Sequence, residues 1–258
     1  MHLKHVPAST GIQWVKRGIQ TFFRQPFAIS GLFFMFMAGL SLMSVVPFLG
    51  SLVAIVITPA ATLGLMAASR KADQGEFPMP STLITAFRQG TSHSRNMLML
   101  GGLYATSLLL LVAVAFLLGP DLPEVAGETG LTPEMLATVF NSPGLWLSGS
   151  LYVPILMMFW HAPALVHWHG VAPVKSLFFS LVACWTNKGA LTLYMLAWLG
   201  LLVAAMFVIT LFTRAFGAET VGFLLYPLVL LFASVFYASL WFTFQDSFEF
   251  DGSSDLIN

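Results

Sequence analysis

Three histidines close together in the chain are the residues whose type and spacing could support metal chemistry. His161, His167 and His169 follow one another closely, and His93 could join them from an earlier part of the chain. Neutral imidazole is a common zinc ligand. On a regular helix, however, side chains two residues apart point about 200° away from each other, so His167 and His169 share an ion only where the backbone is irregular. No acidic residue lies nearby in sequence to orient such a site. We therefore favour the alternative, histidines at the membrane interface, and predict neither a metal nor a cofactor.

Basic residues form the second group with a definite chemistry. An anionic membrane leaflet attracts each nearby lysine or arginine by about 1 kcal/mol. The pattern predicts binding of anionic phospholipid headgroups, although the same charges could serve only to orient the chain in the membrane. The predicted lipid-binding residues are Lys16, Arg17, Arg24, Arg70, Lys71, Arg88 and Arg95.

Small residues and prolines recur inside the apolar segments. Ala60, Gly64 and Ala68 are spaced four apart, which allows another helix to approach closely, so we predict a helix-packing face there. Prolines inside apolar segments either kink helices that pack together or interrupt helices to form a transport site. Those prolines are Pro59, Pro154, Pro163 and Pro227.

Several classes of function lack their usual signatures. No charged residue lies deep within a predicted span, which argues against an ion-coupled carrier. The chain has no Gly-rich phosphate loop, no His-Glu-x-x-His and no Gly-x-Ser-x-Gly motif, so we do not expect an enzyme. The formal net charge of zero argues against a nucleic-acid partner.

Composition determines which elements position these residues. Hydrophobic residues make up 57% of the chain and charged residues only 9%, whereas a soluble domain carries roughly 25% charged residues. Most of the surface should therefore face lipid. Apolar segments near the length of about 20 residues that crosses a bilayer recur along the chain. They predict an all-α polytopic protein with a single integral membrane domain and six spans, at 27–46, 52–68, 98–118, 145–166, 190–212 and 221–244.

Amphipathic segments precede alternate spans. We predict interfacial helices at 10–26, 81–96 and 172–188, a short helix that starts at Thr132 in the longest loop, and a flexible acidic tail at 245–258. Each interfacial helix followed by two spans would form one unit of a threefold repeat, although any six-span chain with short loops looks periodic. The clearest amphipathic pattern is that of the first helix, with an apolar face of Ile12, Val15, Ile19, Phe22 and Phe23.

The distribution of positive charge predicts the orientation of the chain. With six spans, both termini lie on the same side of the membrane. Every lysine and arginine except Arg214 falls on that side. Because basic residues stay on the cytoplasmic side, we predict that both termini are cytoplasmic.

Two stretches carry a resemblance beyond composition. They are GLMAASRKADQGEFPMPSTLITAFRQG, from Gly64 to Gly90, and APALVHWHGVAPVKSLFFSLVACWTNKGA, from Ala162 to Ala190. With the six-span plan, they resemble a family of uncharacterised integral inner-membrane proteins of betaproteobacteria. More loosely, the chain is similar to YciC-like membrane proteins and to the membrane domain of some glycerophosphodiester phosphodiesterases. The resemblance implies a bacterial inner-membrane protein and brings no catalytic residues.

These observations lead to two functional hypotheses. The first is a non-catalytic membrane protein that engages lipid or a partner protein, or forms a homo-oligomer, and supports envelope organisation. The second is a permease or channel for a small or apolar molecule. Grooves at the cytoplasmic rim would favour the first hypothesis, and a continuous polar cavity at mid-membrane would favour the second.

Overall fold

The protein is a bundle of long apolar helices, as the composition predicts. The computed structural model describes residues 2–118, 137, 138 and 140–249. Six helical segments in this part are long and apolar enough to cross a membrane, with α5 and α6 counted together. The all-α polytopic fold is thus confirmed. The elements are β1 His2–Leu3, α1 Thr10–Arg24, α2 Pro26–Ser44, α3 Leu49–Asp73, a 3-10 helix Pro80–Phe87, α4 Thr91–Leu118, α5 Pro143–Trp160, α6 Ala162–His169, α7 Pro173–Thr186, α8 Lys188–Phe216, α9 Ala218–Ser247 and β2 Phe248–Glu249.

The first and last segments that the structure describes meet at one end of the bundle, called the terminal end below. There β1 pairs antiparallel with β2, and His2 lies opposite Glu249. Asn187 ties the pair to the start of α8. Its Oδ1 accepts from the Val6 amide at 3.0 Å, and its Nδ2 donates to the Lys4 carbonyl at 3.0 Å and to Ser247 Oγ at 3.3 Å. Because Asn187 is buried, these bonds compensate for its loss of contact with water.

Five of the six spanning segments extend past the predicted apolar segments, whereas α2 ends at Ser44, before the predicted residue 46. The second span was predicted at 52–68, but α3 continues to Asp73, and the fifth was predicted at 190–212, but α8 runs from Lys188 to Phe216. A helix satisfies its own backbone, so polar residues at a span's end continue it with little cost. In these five segments, hydropathy marks the part that suits hydrocarbon, which is shorter than the helix itself.

The predicted interfacial helix at 81–96 is wrong. Residues Pro80–Phe87 form a 3-10 helix, and α4 begins at Thr91. Between them the chain turns at Gly90, whose φ of +103° is disfavoured for any residue with a side chain. The first residues of the third span's helix were therefore assigned to the wrong element.

The fourth span is broken at His161, between α5 and α6. Pro163 has no amide hydrogen and its ring disrupts the preceding turn. Ser180 of α7 bonds two backbone groups at this break. Its Oγ accepts from the His161 amide at 2.9 Å and donates to the Met157 carbonyl at 2.7 Å. The break is thus stabilised by a neighbouring helix.

The sequence predicts that the acidic tail begins at residue 245, and this prediction is wrong. Gln245 to Ser247 are the last residues of α9, and Phe248 is buried in β2. Pairing with β1 explains why apolar residues occur in this acidic segment. Residues 250–258 and the short helix predicted at Thr132 lie outside the described residues.

Helix α1 packs into the bundle, against α8 and α9. A side chain at Gly11 would overlap the Ala190 carbonyl, and one at Gly18 would lie 2.7 Å from Ser239 Cα. Trp14 is fully buried on this side. Of the predicted apolar face, Val15 and Phe22 are buried and Ile19 partly so, whereas Ile12 and Phe23 are exposed. One side of the apolar face thus packs against other helices, and the other side is exposed on the surface of the protein.

The order of elements follows the predicted repeat of one short helix and two spans. Helix α1 precedes α2 and α3, the 3-10 helix precedes α4 and α5, and α7 precedes α8 and α9. Each short helix packs against the second span of the preceding unit: the 3-10 helix against α3, α7 against α5 and α1 against α9. The contact of α1 with α9 joins the first unit to the third, so the three units contact one another in a closed ring.

Candidate functional site

Two of the predicted lipid-binding arginines are paired with acidic residues. Arg17 Nη1 lies 3.1 Å from Asp246 Oδ2, and its guanidinium sits 4.2 Å above the Phe242 ring. Arg24 Nη1 lies 3.3 Å from Asp73 Oδ1. The acidic partners are distant in sequence, so charge patterning along the chain did not identify them. These pairs connect α1 to the ends of α9 and α3.

Arg88 and Arg95 instead border a groove, called the first rim groove below. Phe87 and Leu98 supply apolar walls, and no acidic residue lines it among those described. Both arginines are exposed and make no ion pair within the described chain. Thr91, also in the groove, is the first residue of α4, where free backbone amides favour an anion. The groove combines cations, helix-end amides and apolar surface.

Lys16 borders a second rim groove, between α1 and α8. The walls are apolar and come from α1 and from Ala197, Gly200 and Leu201 of α8, with Gln20 as a further polar residue. Gly200 forms an open part of it, since a side chain there would meet nothing within 4 Å. Lys16 is exposed at its edge. The apolar walls suit an alkyl chain, and the ammonium group of Lys16 at the edge suits an anionic head group.

The other two predicted lipid-binding residues lie elsewhere at the terminal end. Lys71 is exposed, and Arg70 is half-buried beside two indole rings, 6.0 Å from Trp168 and 5.6 Å from Trp241. A cation at this distance from an indole face is attracted to it. The structure therefore gathers Arg88 and Arg95 at one groove and separates the remaining five.

The histidines do not converge on one point. His161 and His169 both contact Phe244, with ring centroids 5.9 Å apart in each case. His167 points the other way and lies 6.5 Å from His93 between ring centroids. Because α6 is a regular helix here, His167 and His169 diverge as the helical angle requires. Among the described residues, no group of three or more histidine, cysteine or acidic side chains could hold a metal ion.

The ladder of small residues is buried in α3. Ala60 and Ala68 are each 2% exposed. At Gly64 a side chain would lie 2.6 Å from the Leu83 carbonyl oxygen, so the element that approaches most closely is the 3-10 helix. The sequence predicts that another helix approaches at these residues, without specifying which one.

Cys184 of α7 faces the break in the fourth span. Its thiol donates to the Met157 carbonyl at 3.6 Å. Burial raises the pKa of this thiol to about 12, although a hydrogen bond with Ser180 partly opposes the shift. The group therefore stays protonated at neutral pH and is a poor nucleophile.

A cavity of about 340 Å³ lies near the middle of the spans. Its walls come from α3, α4, α5, α6, α8 and α9, and none of the lining residues is charged. It was not predicted from the sequence, where isolated tyrosines within apolar segments were the available signal. The hydroxyl-bearing residues that line it are Thr58, Thr62, Tyr104, Tyr152 and Tyr237.

Comparison with known proteins gives one relative over almost the whole chain. A probable inner membrane protein of Burkholderia thailandensis is 35% identical over 254 residues, which are 96% of this chain and 94% of that protein. No protein-family model matches the chain. No solved structure matches it either. The resemblance to bacterial inner-membrane proteins is supported, whereas the looser likeness to YciC-like proteins and phosphodiesterase membrane domains stays a prediction.

Proposed function

Because the chain belongs to the family of this probable inner membrane protein, we propose that it is a non-catalytic protein that binds anionic phospholipid at the terminal end. Binding there would support envelope organisation, alone or with a partner protein or a second copy. The observation that carries the proposal is the first rim groove, with Arg88, Arg95 and apolar walls. The predicted cytoplasmic location of the terminal end would expose it to an anionic leaflet.

The first rim groove matches the two parts of a phospholipid. A phosphate can accept from both guanidinium groups, which are strong donors to phosphate. The amides at the start of α4 add a favourable partial charge. Ser94 Oγ donates to the Gly90 carbonyl at 3.0 Å, which steadies the turn that separates the two arginines. Phe87 and Leu98 then offer contact to the acyl chains.

The test compares melting temperatures in mild detergent with and without added phosphatidylglycerol or cardiolipin. We expect anionic lipid to raise the melting temperature of the wild type. In the double variant Arg88→Gln/Arg95→Gln, most of that rise should disappear, because two charges of about 1 kcal/mol each are removed. Phosphatidylcholine should give little stabilisation to either protein.

A matched control removes the same charge elsewhere. Lys4 and Lys175 are exposed, lie at the terminal end and line neither rim groove. Lys4→Gln/Lys175→Gln should therefore respond to anionic lipid like the wild type. If the arginine variant responds as strongly as this control, the arginines only orient the chain and the proposal fails.

The cavity supports a second candidate, a permease or channel for a small or apolar molecule. Pro59 and Pro163, which can interrupt helices, both line it. Uptake of a small uncharged dye into vesicles that contain the protein, compared with empty vesicles, tests this candidate. Equal uptake by both would count against it.

A further inference from the structure

The cavity has walls suited to a flat ring. Six of its lining residues are aromatic, and rings within the wall contact one another, as in the Tyr104–Phe159 pair with centroids 5.0 Å apart. Aromatic side chains stack on or meet the edges of other flat rings. Its volume of about 340 Å³ falls in the range of known ligand pockets, about 300–1,000 Å³.

The cavity offers hydroxyl groups to a ligand. Those of Tyr104 and Tyr152 make no hydrogen bond within the described part of the chain, and Tyr237 has Thr62 as its neighbour. Thr58 already donates its hydroxyl proton to the Ala54 carbonyl at 2.9 Å, which leaves its oxygen as an acceptor. A phenol hydroxyl can donate to an oxygen atom of a bound molecule. A molecule with its own oxygen atoms would satisfy these groups.

One residue of the cavity wall also reaches the outer surface of the bundle. Tyr152 lines the cavity and is 42% exposed on the outer surface of α5. A ligand whose ring lies inside could leave a hydrocarbon chain in the lipid through this side. None of the lining residues is charged, so an ionic ligand would have no counter-charge there.

We propose that the cavity binds an uncharged, lipid-soluble molecule whose flat ring carries carbonyl or hydroxyl oxygens, as in the quinone class. The ring packs among the aromatic side chains, Tyr104 and Tyr152 donate to its oxygens, and the alkyl chain extends into the membrane. This site is independent of the lipid headgroup binding proposed at the rim.

The test is a titration of the purified protein in nanodiscs with decylubiquinone. A quinone ring quenches the fluorescence of a nearby indole, and Trp160 lines the cavity. We expect saturable quenching above that caused by partition into empty nanodiscs. Trp160→Phe should lose most of the saturable part. Trp146→Phe should keep it, because Trp146 is exposed and does not line the cavity.

A second variant separates specific binding from simple proximity. Tyr104→Phe/Tyr152→Phe keeps both rings and removes both hydroxyls, so the half-saturating concentration should rise roughly tenfold. Dioctanoylglycerol, which is apolar and carries oxygens but no ring, should not displace the quinone. Absence of saturable quenching, unchanged affinity in the tyrosine variant or displacement by dioctanoylglycerol would each overturn the proposal.

Discussion

Two adjacent glycines in α4 allow the packing of α3 against α4 to be tested with an internal control. A side chain at Gly101 would overlap the Val56 carbonyl oxygen of α3 and lie 2.9 Å from its carbonyl carbon. A side chain at Gly102 would meet nothing within 4 Å. We predict that Gly101→Ala destabilises the protein and that Gly102→Ala does not.

The expected size follows from two opposing effects. Replacing glycine by alanine inside a helix favours the helix by about 0.5–1 kcal/mol, and this gain applies equally to both positions. Overpacking costs about 1–3 kcal/mol and applies only at Gly101. Since the obstacle at Gly101 is backbone, it cannot move aside as a flexible side chain would. The difference between the two variants thus reports the steric term alone, about 1–3 kcal/mol.

The measurement is thermal melting of both variants and the wild type in the same detergent. For a chain of this size, 1 kcal/mol corresponds to roughly 2–4 °C, so the variants should differ by roughly 2–12 °C, with Gly101→Ala lower. Helix content should be the same in all three proteins before melting. Equal melting temperatures for the two variants would show that α3 and α4 are not in close contact at Val56.

Three further outcomes test other parts of the molecule. Gly64→Leu should lower the melting temperature, because its side chain would meet the Leu83 backbone; no change would mean that this face of α3 is open to lipid. Asn187→Ala should cost about 2–4 kcal/mol, because three hydrogen bonds are lost and two of the partners, the Val6 amide and Ser247 Oγ, stay buried. It should also speed hydrogen exchange at the Val6 amide; unchanged exchange would show that Asn187 does not hold this amide. A reporter active only outside the cytoplasm should give signal when fused at Val125 and none at Gly75, and the opposite result would reverse the predicted orientation.

The spans were predictable because the bilayer imposes a simple rule. A segment in hydrocarbon must bond its own backbone and present apolar side chains, and both requirements are visible in sequence. The exact ends were not predictable, because polar residues such as Asp73 continue a helix beyond the lipid. The turn at Gly90 was not predicted, because the amphipathic pattern continues on both sides of it and a single glycine does not by itself show whether its φ angle is positive.

The packing of α1 shows a second limit. An apolar stripe that faces lipid and one that faces protein have the same composition. Contacts such as the approach of Gly18 to Ser239 and the bond from Trp14 Nε1 to Asp246, at 2.8 Å, identify the neighbour. Both partners are distant in sequence. The cavity was not predicted for the same reason. Each of its tyrosines is a single polar residue in a separate apolar segment, and the sequence does not show that these segments meet.

Basic residues at the terminal end fall into two groups, those paired with a carboxylate and those that border a groove, and the two groups differ in what they can offer a lipid. Counting basic residues treats Arg17 and Arg95 alike, yet Arg17 is paired with Asp246. Arg95 instead borders a groove that has no acidic residue among the described residues of its wall. An arginine that already has a carboxylate partner gains less from a phosphate. We therefore propose that Arg88, Arg95 and Lys16, which all lie on rim grooves, bind lipid in preference to the paired arginines.

The position of the rim grooves connects lipid binding with the packing of the short helices. The first lies where the 3-10 helix meets α4, and the second lies between α1 and α8. A lipid held in either groove contacts two elements at once, one of them a short helix. Its binding free energy would therefore add to the free energy that holds that helix in the bundle. We therefore propose that anionic lipid bound in these grooves stabilises the arrangement of the terminal end, where β1, β2 and almost all of the basic residues lie.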